Sequence, residues 1–304
     1  MLYPELSDLI AYKKLKSSLT HRSNRAVKST GLGNHRSPFR GQGLEFDSVR
    51  EYVVGDDIRS IDWRVTARMG APHIKLFKED RERHICICVD LNASMRFGTR
   101  NTFKSVQAAR AAAILGWQGL DSQDRVSGCL FGDVPQGLQF FEPKRTRKSF
   151  GMMLKMLSDV PQEKHSIPFE SALKHIDQVS HTGSLIYLIS DFMHLENKLQ
   201  HESIITRLSK RCDIVFIAIN DPADKTIFPM PSISFSVDGK DKISVDTSNP
   251  AGRETYVQQW KENRQRLYEI ATRLKVTIVE LTTESDIHRD LILEMKLIAK
   301  RKKR

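Results

Sequence analysis

The stretch that decides the fold is His84-Ile-Cys-Ile-Cys-Val-Asp90-Leu-Asn92-Ala-Ser94-Met95. Its first half is a near-continuous apolar run of β-branched and small residues, the pattern of a strand covered on both faces. The run breaks at an aspartate, followed by alternating short polar side chains that suit a loop rather than more strand. Downstream, the chain alternates. An alanine-rich helical pattern covers 102–120 and apolar strands follow at 124–131 and 138–141, the latter pairing as a hairpin. Helical patterns at 144–157, 169–179, 195–208 and 251–274 alternate with strands at 184–190, 213–220 and 276–281. A hairpin is expected over 229–245, with Asp238-Gly239 as its turn. This alternation predicts an α/β fold, a doubly wound and mostly parallel sheet with helices on both faces. Ligands of such sheets bind beyond the carboxyl ends of the strands. Two of those ends carry acids here: Asp90, and Asp191 after Leu-Ile-Tyr-Leu-Ile-Ser.

The 304 residues are 39% hydrophobic and 28% charged, an ordinary balance with enough apolar surface for a core. No stretch reaches the roughly 18 uninterrupted apolar residues of a membrane span. The start, Met1 to Asp8, lacks the basic and apolar parts of a signal peptide, so a cytoplasmic location is expected. The four cysteines, Cys86, Cys88, Cys129 and Cys212, sit in strand-like runs at spacings that suit neither a metal knuckle nor a redox pair. The formal charge of +11 is concentrated at the ends, in Lys13, Lys14, Lys16, Arg22, Arg25 and Lys28 and in the closing Lys300-Arg-Lys-Lys-Arg304. Basic ends suit nucleic acid or peripheral contact with an anionic membrane face. The chain lacks a helix-turn-helix and an aromatic-interleaved basic face, so nucleic acid is the alternative and not the first reading.

Ahead of the sheet lies Gly41-Gln-Gly-Leu-Glu45-Phe46-Asp-Ser-Val-Arg50-Glu-Tyr52-Val-Val-Gly55-Asp56-Asp57-Ile-Arg59-Ser-Ile61-Asp62-Trp63-Arg-Val-Thr-Ala67-Arg68. Arg50, Asp56, Asp57, Arg59, Asp62, Trp63 and Arg68 bring guanidinium forks, carboxylates and an indole together. Such a set suits an interlocked ion-pair network fastening the segment to the sheet domain, or a recognition face for a partner. Gly55 fits a turn, and an aspartate is expected to cap a short helix containing Arg59 to Trp63.

This segment resembles the signature of a bacterial von Willebrand A-like family known as domain of unknown function 58, G-x-x-x-E-F-x-x-x-R-x-Y-x-x-G-D-D-x-R-x-I-D-W-x-x-x-A-R. The likeness continues through Glu79 to Arg83, Asp90 to Thr99, Lys104, Asp124 to Val126, Ser190-Asp191 and Asn220-Asp221-Pro222. Charge and composition set off a basic N-terminal arm at 1–37 and a basic tail at 291–304, and the resemblance implies the signature segment at 38–83 and a von Willebrand A-like domain at 84–290. Asp90-x-Asn92-x-Ser94 is similar to the D-x-S-x-S loop of von Willebrand A domains, with asparagine at the first serine. The family's second aspartate falls on Asp191. Its usual threonine, five residues before an Ala-Leu pair, falls on Ile167, with Ser166 beside it.

The resemblance therefore implies a degenerate metal-dependent adhesion site of Asp90, Asn92, Ser94 and Asp191, holding Mg²⁺ weakly or not at all in the isolated chain. It also implies a non-enzymatic adaptor working with a MoxR-type AAA+ ATPase and a client protein, bound at the strand-end loops. Arg50, Tyr52, Asp56, Asp57, Arg59, Asp62, Trp63 and Arg68 form the partner-binding or structural network. A metal-dependent hydrolase using Asp90 and Asp191 is the enzymatic alternative. The chain shows no phosphate loop, zinc-protease helix or dinucleotide fingerprint.

Overall fold

The computed structural model describes residues 3–14, 32–41, 45–81, 83–159, 169–193, 195, 199–236 and 242–301. The first helix, α1 (Leu6–Ala11), packs against the alanine-rich helix introduced below as α3. The side chain of Leu9 is fully buried, its carbonyl accepts from Trp117 Nε1 at 3.0 Å, and Asp8 pairs with Arg110 at 2.8 Å. Part of the expected N-terminal arm is thus a docked helix, anchored by an apolar side chain worth about 2 kcal/mol.

Next come β1 (Leu32–Gly41) and β2 (Glu45–Glu51), the short helix α2 (Trp63–Met69), and β3 (His73–Arg81). The three strands form a small antiparallel sheet with β3 in the middle. This sheet was missed in the sequence because β1 holds glycine, proline and polar residues, while β2 and β3 interleave their few apolar residues with charged ones.

The large domain runs β4 (His84–Leu91), α3 (Lys104–Asp121), β5 (Arg125–Gly132), β6 (Leu138–Lys144), α4 (Arg147–Ser158), α5 (Phe169–Val179), β7 (Leu185–Ser190), α6 (Leu199–Arg211) and β8 (Asp213–Asn220). It continues with α7 (Pro222–Lys225), the hairpin β9 (Ile233–Ser236) and β10 (Lys242–Val245), α8 (Pro250–Leu274), β11 (Thr277–Thr282) and α9 (Ile287–Arg301). The expected Asp238-Gly239 turn lies outside the described residues. The six-stranded sheet has the order β11-β8-β7-β4-β5-β6, all parallel except β6, which runs antiparallel to β5. The expected doubly wound, mostly parallel sheet is the fold.

The pleat sends alternate residues of β4 to opposite faces. Ile85, Ile87 and Val89 enter a core shared with α1, α3, α4 and α9, while Cys86 and Cys88 enter the other, with α5, α6 and α8. The four cysteines are free and buried. Helix α3 is buried on nearly every side because α1, α4 and α9 cover the face it turns away from the sheet. Small alanines allow that close packing. Helix α9 also overturns the boundary at 290 and 291: Ile287 and Leu291 are buried in the core, so the expected basic tail begins inside a packed helix.

Candidate functional site at the carboxyl edge of the sheet

Strands β4 and β7 are parallel neighbours paired with Val89 opposite Ile189. One residue further on, their ends bring Asp90 and Ser190 together, and the Ser190 hydroxyl donates to Asp90 Oδ2 at 2.6 Å. The other oxygen, Oδ1, accepts from the Asn92 backbone N–H at 2.9 Å and from Asn92 Nδ2 at 2.8 Å. Asp90 is fully buried. Burial and the nearby charge of Asp191 push its carboxyl up to about 6 against the pull of these donors. The loop is held from outside by Gly132 at φ +108°, whose missing Cβ would stand 2.5 Å from Asn92 N.

Asp191 follows β7 and is buried. Its Oδ1 accepts from Met193 N at 3.1 Å, and its Oδ2 accepts from Lys104 Nζ at 2.9 Å. The same ammonium donates to both carboxylate oxygens of Asp224 at 3.2 Å. Lys104 is 2% exposed and stands 5.5 Å from the centre of the Phe97 ring. Burial disfavours its charge, but the attraction of Asp191 and Asp224 outweighs that and raises its pKa. Burial likewise pushes Asp191 up, yet Lys104 holds it below the ordinary carboxylate range.

Around this centre, buried Asp221 ties three further loops together. It accepts from Thr99 N at 2.9 Å, Thr99 Oγ1 at 2.5 Å and Thr283 Oγ1 at 2.6 Å, and its Oδ1 caps α7 through Ala223 N at 2.9 Å. Arg264 of α8 donates to the carbonyl of Asp191 at 3.3 Å and to Asn220 Oδ1. The ends of β4, β7, β8 and β11 are thereby fastened into one polar knot.

Of the expected metal set, the structure places Asp90, Asn92 and Asp191 at this edge. The Ser94 hydroxyl is buried near enough to Asp191 to lower its pKa, without a hydrogen bond of good geometry. Ile167 and Ser166 lie outside the described residues. Each acid's oxygens already accept protein donors, and a positive charge stands between Asp191 and Asp224. The donor set as folded therefore does not fit a resident divalent ion, which needs oxygen ligands at about 2.1 Å and repels a neighbouring ammonium. The sequence reading did not see the parts played by Lys104, Asp221, Asp224 and Arg264. One signal was available: Lys104 sits in the first turn of α3, where the helix dipole disfavours a cation, so another partner must hold it there.

The signature segment departs from the expected interlocked network. Arg50 grips Asp56 with two bonds of 2.7 Å, and Asp56 also accepts from Val53 N at 2.9 Å across the turn at Gly55, φ +110°. Asp57 caps a single 3₁₀ turn at Ile58–Ser60 through Arg59 N, and Asp62 caps α2 through Arg64 N at 3.0 Å and Val65 N at 3.3 Å. Two short helices thus replace the one expected. Asp62 lies 3.6 Å from Lys75, with no arginine partner among the described residues, while Tyr52 N donates to Pro72 O at 2.8 Å. Arg59 and Arg68 are exposed and show no ion pair among the described residues. Trp63 is 68% exposed and Val54 is 95% exposed; Val53, Ile58 and Met69 are exposed as well.

A mostly parallel six-stranded sheet, helices on both faces and acids at its carboxyl edge define a von Willebrand A-like protein. Within that class the chain belongs to the family described as "Protein of unknown function DUF58", whose model matches residues 48–266. The uncharacterized protein Rv1480 of Mycobacterium tuberculosis is 24% identical over 86% of this chain and 81% of its own length. Among solved structures, a von Willebrand factor type A protein from Catenulispora acidiphila is similar over 74% of this chain and 43% of its own, at 10% identity and a TM-score of 0.42. An aerotolerance-related membrane protein from Bacteroides fragilis is similar over 71% of this chain and 99% of its own, at 12% identity and a TM-score of 0.44. The expected cytoplasmic location is corrected here. A chain of similar fold is itself named a membrane protein, so the lack of an apolar span does not assign a compartment. Among the described residues, no helix is long and apolar enough to cross a membrane.

Proposed function

We propose that this chain is a non-enzymatic protein-interaction module that acts as an adaptor for a MoxR-type AAA+ ATPase and its client, and that it docks them through the signature segment. The observation that carries this reading is the exposure of Trp63, beside Val53, Val54, Ile58 and Met69 and the exposed Arg59, Arg64 and Arg68. An indole and several aliphatic side chains left in water on one short segment cost stability without helping the fold. Tryptophan and arginine are also the residues that dominate protein interfaces. The flanking guanidinium groups suit a partner segment that is apolar and acidic.

The strand-end loops take a different part from the metal-bridged capture expected of them. Their acids face inward onto Lys104, Ser190 and Thr283 and hold the loops rigid. The same commitment argues against hydrolysis by Asp90 and Asp191, because neither presents a free oxygen to a substrate. Mg²⁺ at this edge is not needed for docking. The test is co-purification of a MoxR-type AAA+ ATPase with the full chain. Wild type should retain it; Trp63→Ala should lose at least tenfold in retention while melting at the wild-type temperature. Equal retention by both proteins would remove the signature segment from the interface.

A further inference from the structure

We infer that Lys104 is the resident cation of the carboxyl-edge site, its ε-ammonium standing in for the divalent ion that an acid cluster in this position would otherwise recruit. Asp90, Asp191, Asp221 and Asp224 are all buried at one sheet edge, and uncompensated carboxylates there would be costly. Protein hydroxyls and amides satisfy Asp90 and Asp221. Asp191 and Asp224 are the pair that needs a positive charge, and Lys104 Nζ bridges them at 2.9 and 3.2 Å.

The bridge is built from the helix outward. Lys104 opens α3, its backbone N–H bonded to Phe97 O at 2.9 Å, so the side chain is launched from a fixed point toward the acids that follow β7 and β8. Phe97 covers the ammonium, adding the attraction of a ring face and keeping water away. The Ser94 hydroxyl is buried on the Asp191 side without a hydrogen bond of good geometry, so its oxygen can serve a cation there.

Two consequences separate this from a plain buried ion pair. Wild type should not recruit a divalent cation at this edge, and removing the ammonium should open a cation site lined by Asp191, Asp224 and Ser94, with Asp90 behind them. This inference does not depend on where the partner docks.

The experiment uses Mn²⁺ as the probe on the full chain, read by thermal melting and by loss of the free-ion paramagnetic resonance signal. Wild type should leave the signal and its melting temperature unchanged up to millimolar Mn²⁺. Lys104→Ala should melt lower than wild type in chelator, then regain about 5–10 °C once Mn²⁺ exceeds its dissociation constant about a hundredfold. Lys104→Ser, with a small hydroxyl in the same place, should behave alike and serves if the alanine variant does not fold. Asp191→Asn placed on either variant should abolish the gain. Stoichiometric Mn²⁺ binding by wild type, lost in Asp90→Asn, would overturn the inference. So would a folded Lys104→Ala or Lys104→Ser that gains neither binding nor heat resistance.

Discussion

Lys104 Nζ donates to Asp191 Oδ2 at 2.9 Å inside a knot where both side chains are almost wholly buried. The first turn of one helix is thereby locked to the end of a strand near the centre of the sheet. In this chain the edge that usually meets ligands in doubly wound folds is spent on internal order. The docking role proposed above falls instead to the turn and short helices that carry Val53, Val54, Ile58 and Trp63.

The opposite edge of the sheet has its own buried charge. Arg83 is fully buried, and its Nη2 donates to Asp213 Oδ2 at 2.6 Å, with Asp124 accepting from its backbone N–H at 3.1 Å. Asp213→Ala would leave a buried guanidinium without its main counter-charge, and should destabilise the domain by about 3–5 kcal/mol. Asp62→Ala, in the signature segment, removes only a helix cap and a long contact to Lys75, and should cost much less. Chemical denaturation of the two variants checks both. Equal losses would show that Asp62 carries a buried partner after all.

His84 gives a pH dependence of known sign. Its ring sits between Ser127 Oγ at 2.7 Å and Ser184 Oγ at 3.1 Å, and burial, with smaller effects of His181 and Arg125, depresses its pKa to about 4. Between that value and the ordinary 6.5, the unfolded chain binds a proton that the folded one refuses. This group's contribution is therefore complete above pH 6.5 and lost as pH falls toward 4, a change of about 3 kcal/mol. Asp90 opposes it over part of the same range, since its raised pKa favours the folded state at low pH. The difference between wild type and His84→Gln isolates the histidine: urea titrations from pH 7 to 4.5 should show a shallower fall in the variant. Parallel curves would mean that the ring is not held neutral.

Gly132 tests the loop that carries Asp90 and Asn92. At φ +108°, an added Cβ would meet Asn92 N at 2.5 Å and the Leu91 carbonyl carbon at 2.7 Å. Both are backbone atoms that cannot swing aside. Gly132→Ala should cost about 1–3 kcal/mol from the backbone conformation alone, with a further loss as the bonds from Asn92 to Asp90 are pushed apart. Thermal melts should show the loss. A variant that melts with wild type would place the loop elsewhere.

Most of the large sheet was legible because its strands obey one rule, apolar residues on both faces, and its helices another, the 3.6-residue stripe. His84 to Asp90 alone placed the central strand. The small sheet was not legible: β1 carries two glycines and a proline, and the short Ile74-Lys75-Leu76 alternation of β3 runs into Lys78-Glu-Asp-Arg81. Helix α9 was misjudged because its apolar stripe, with Ile287 and Leu291, runs straight on into the basic end of the chain. At the site, local sequence named Asp90 and Asp191 because a strand ended at each. Lys104, Asp221 and Asp224 join them only through tertiary structure, from positions that are separate in the chain. A lysine at a helix start was the sole local hint.

The proposed role of the Lys104 ammonium, in place of a metal, can be read in the anomalous difference map of a wild-type crystal soaked in Mn²⁺. No peak is expected among Asp90, Asp191 and Asp224, and continuous density should run from the Lys104 side chain to both Asp191 and Asp224. A peak within bonding distance of Asp90 or Asp191, with Lys104 swung away, would contradict it.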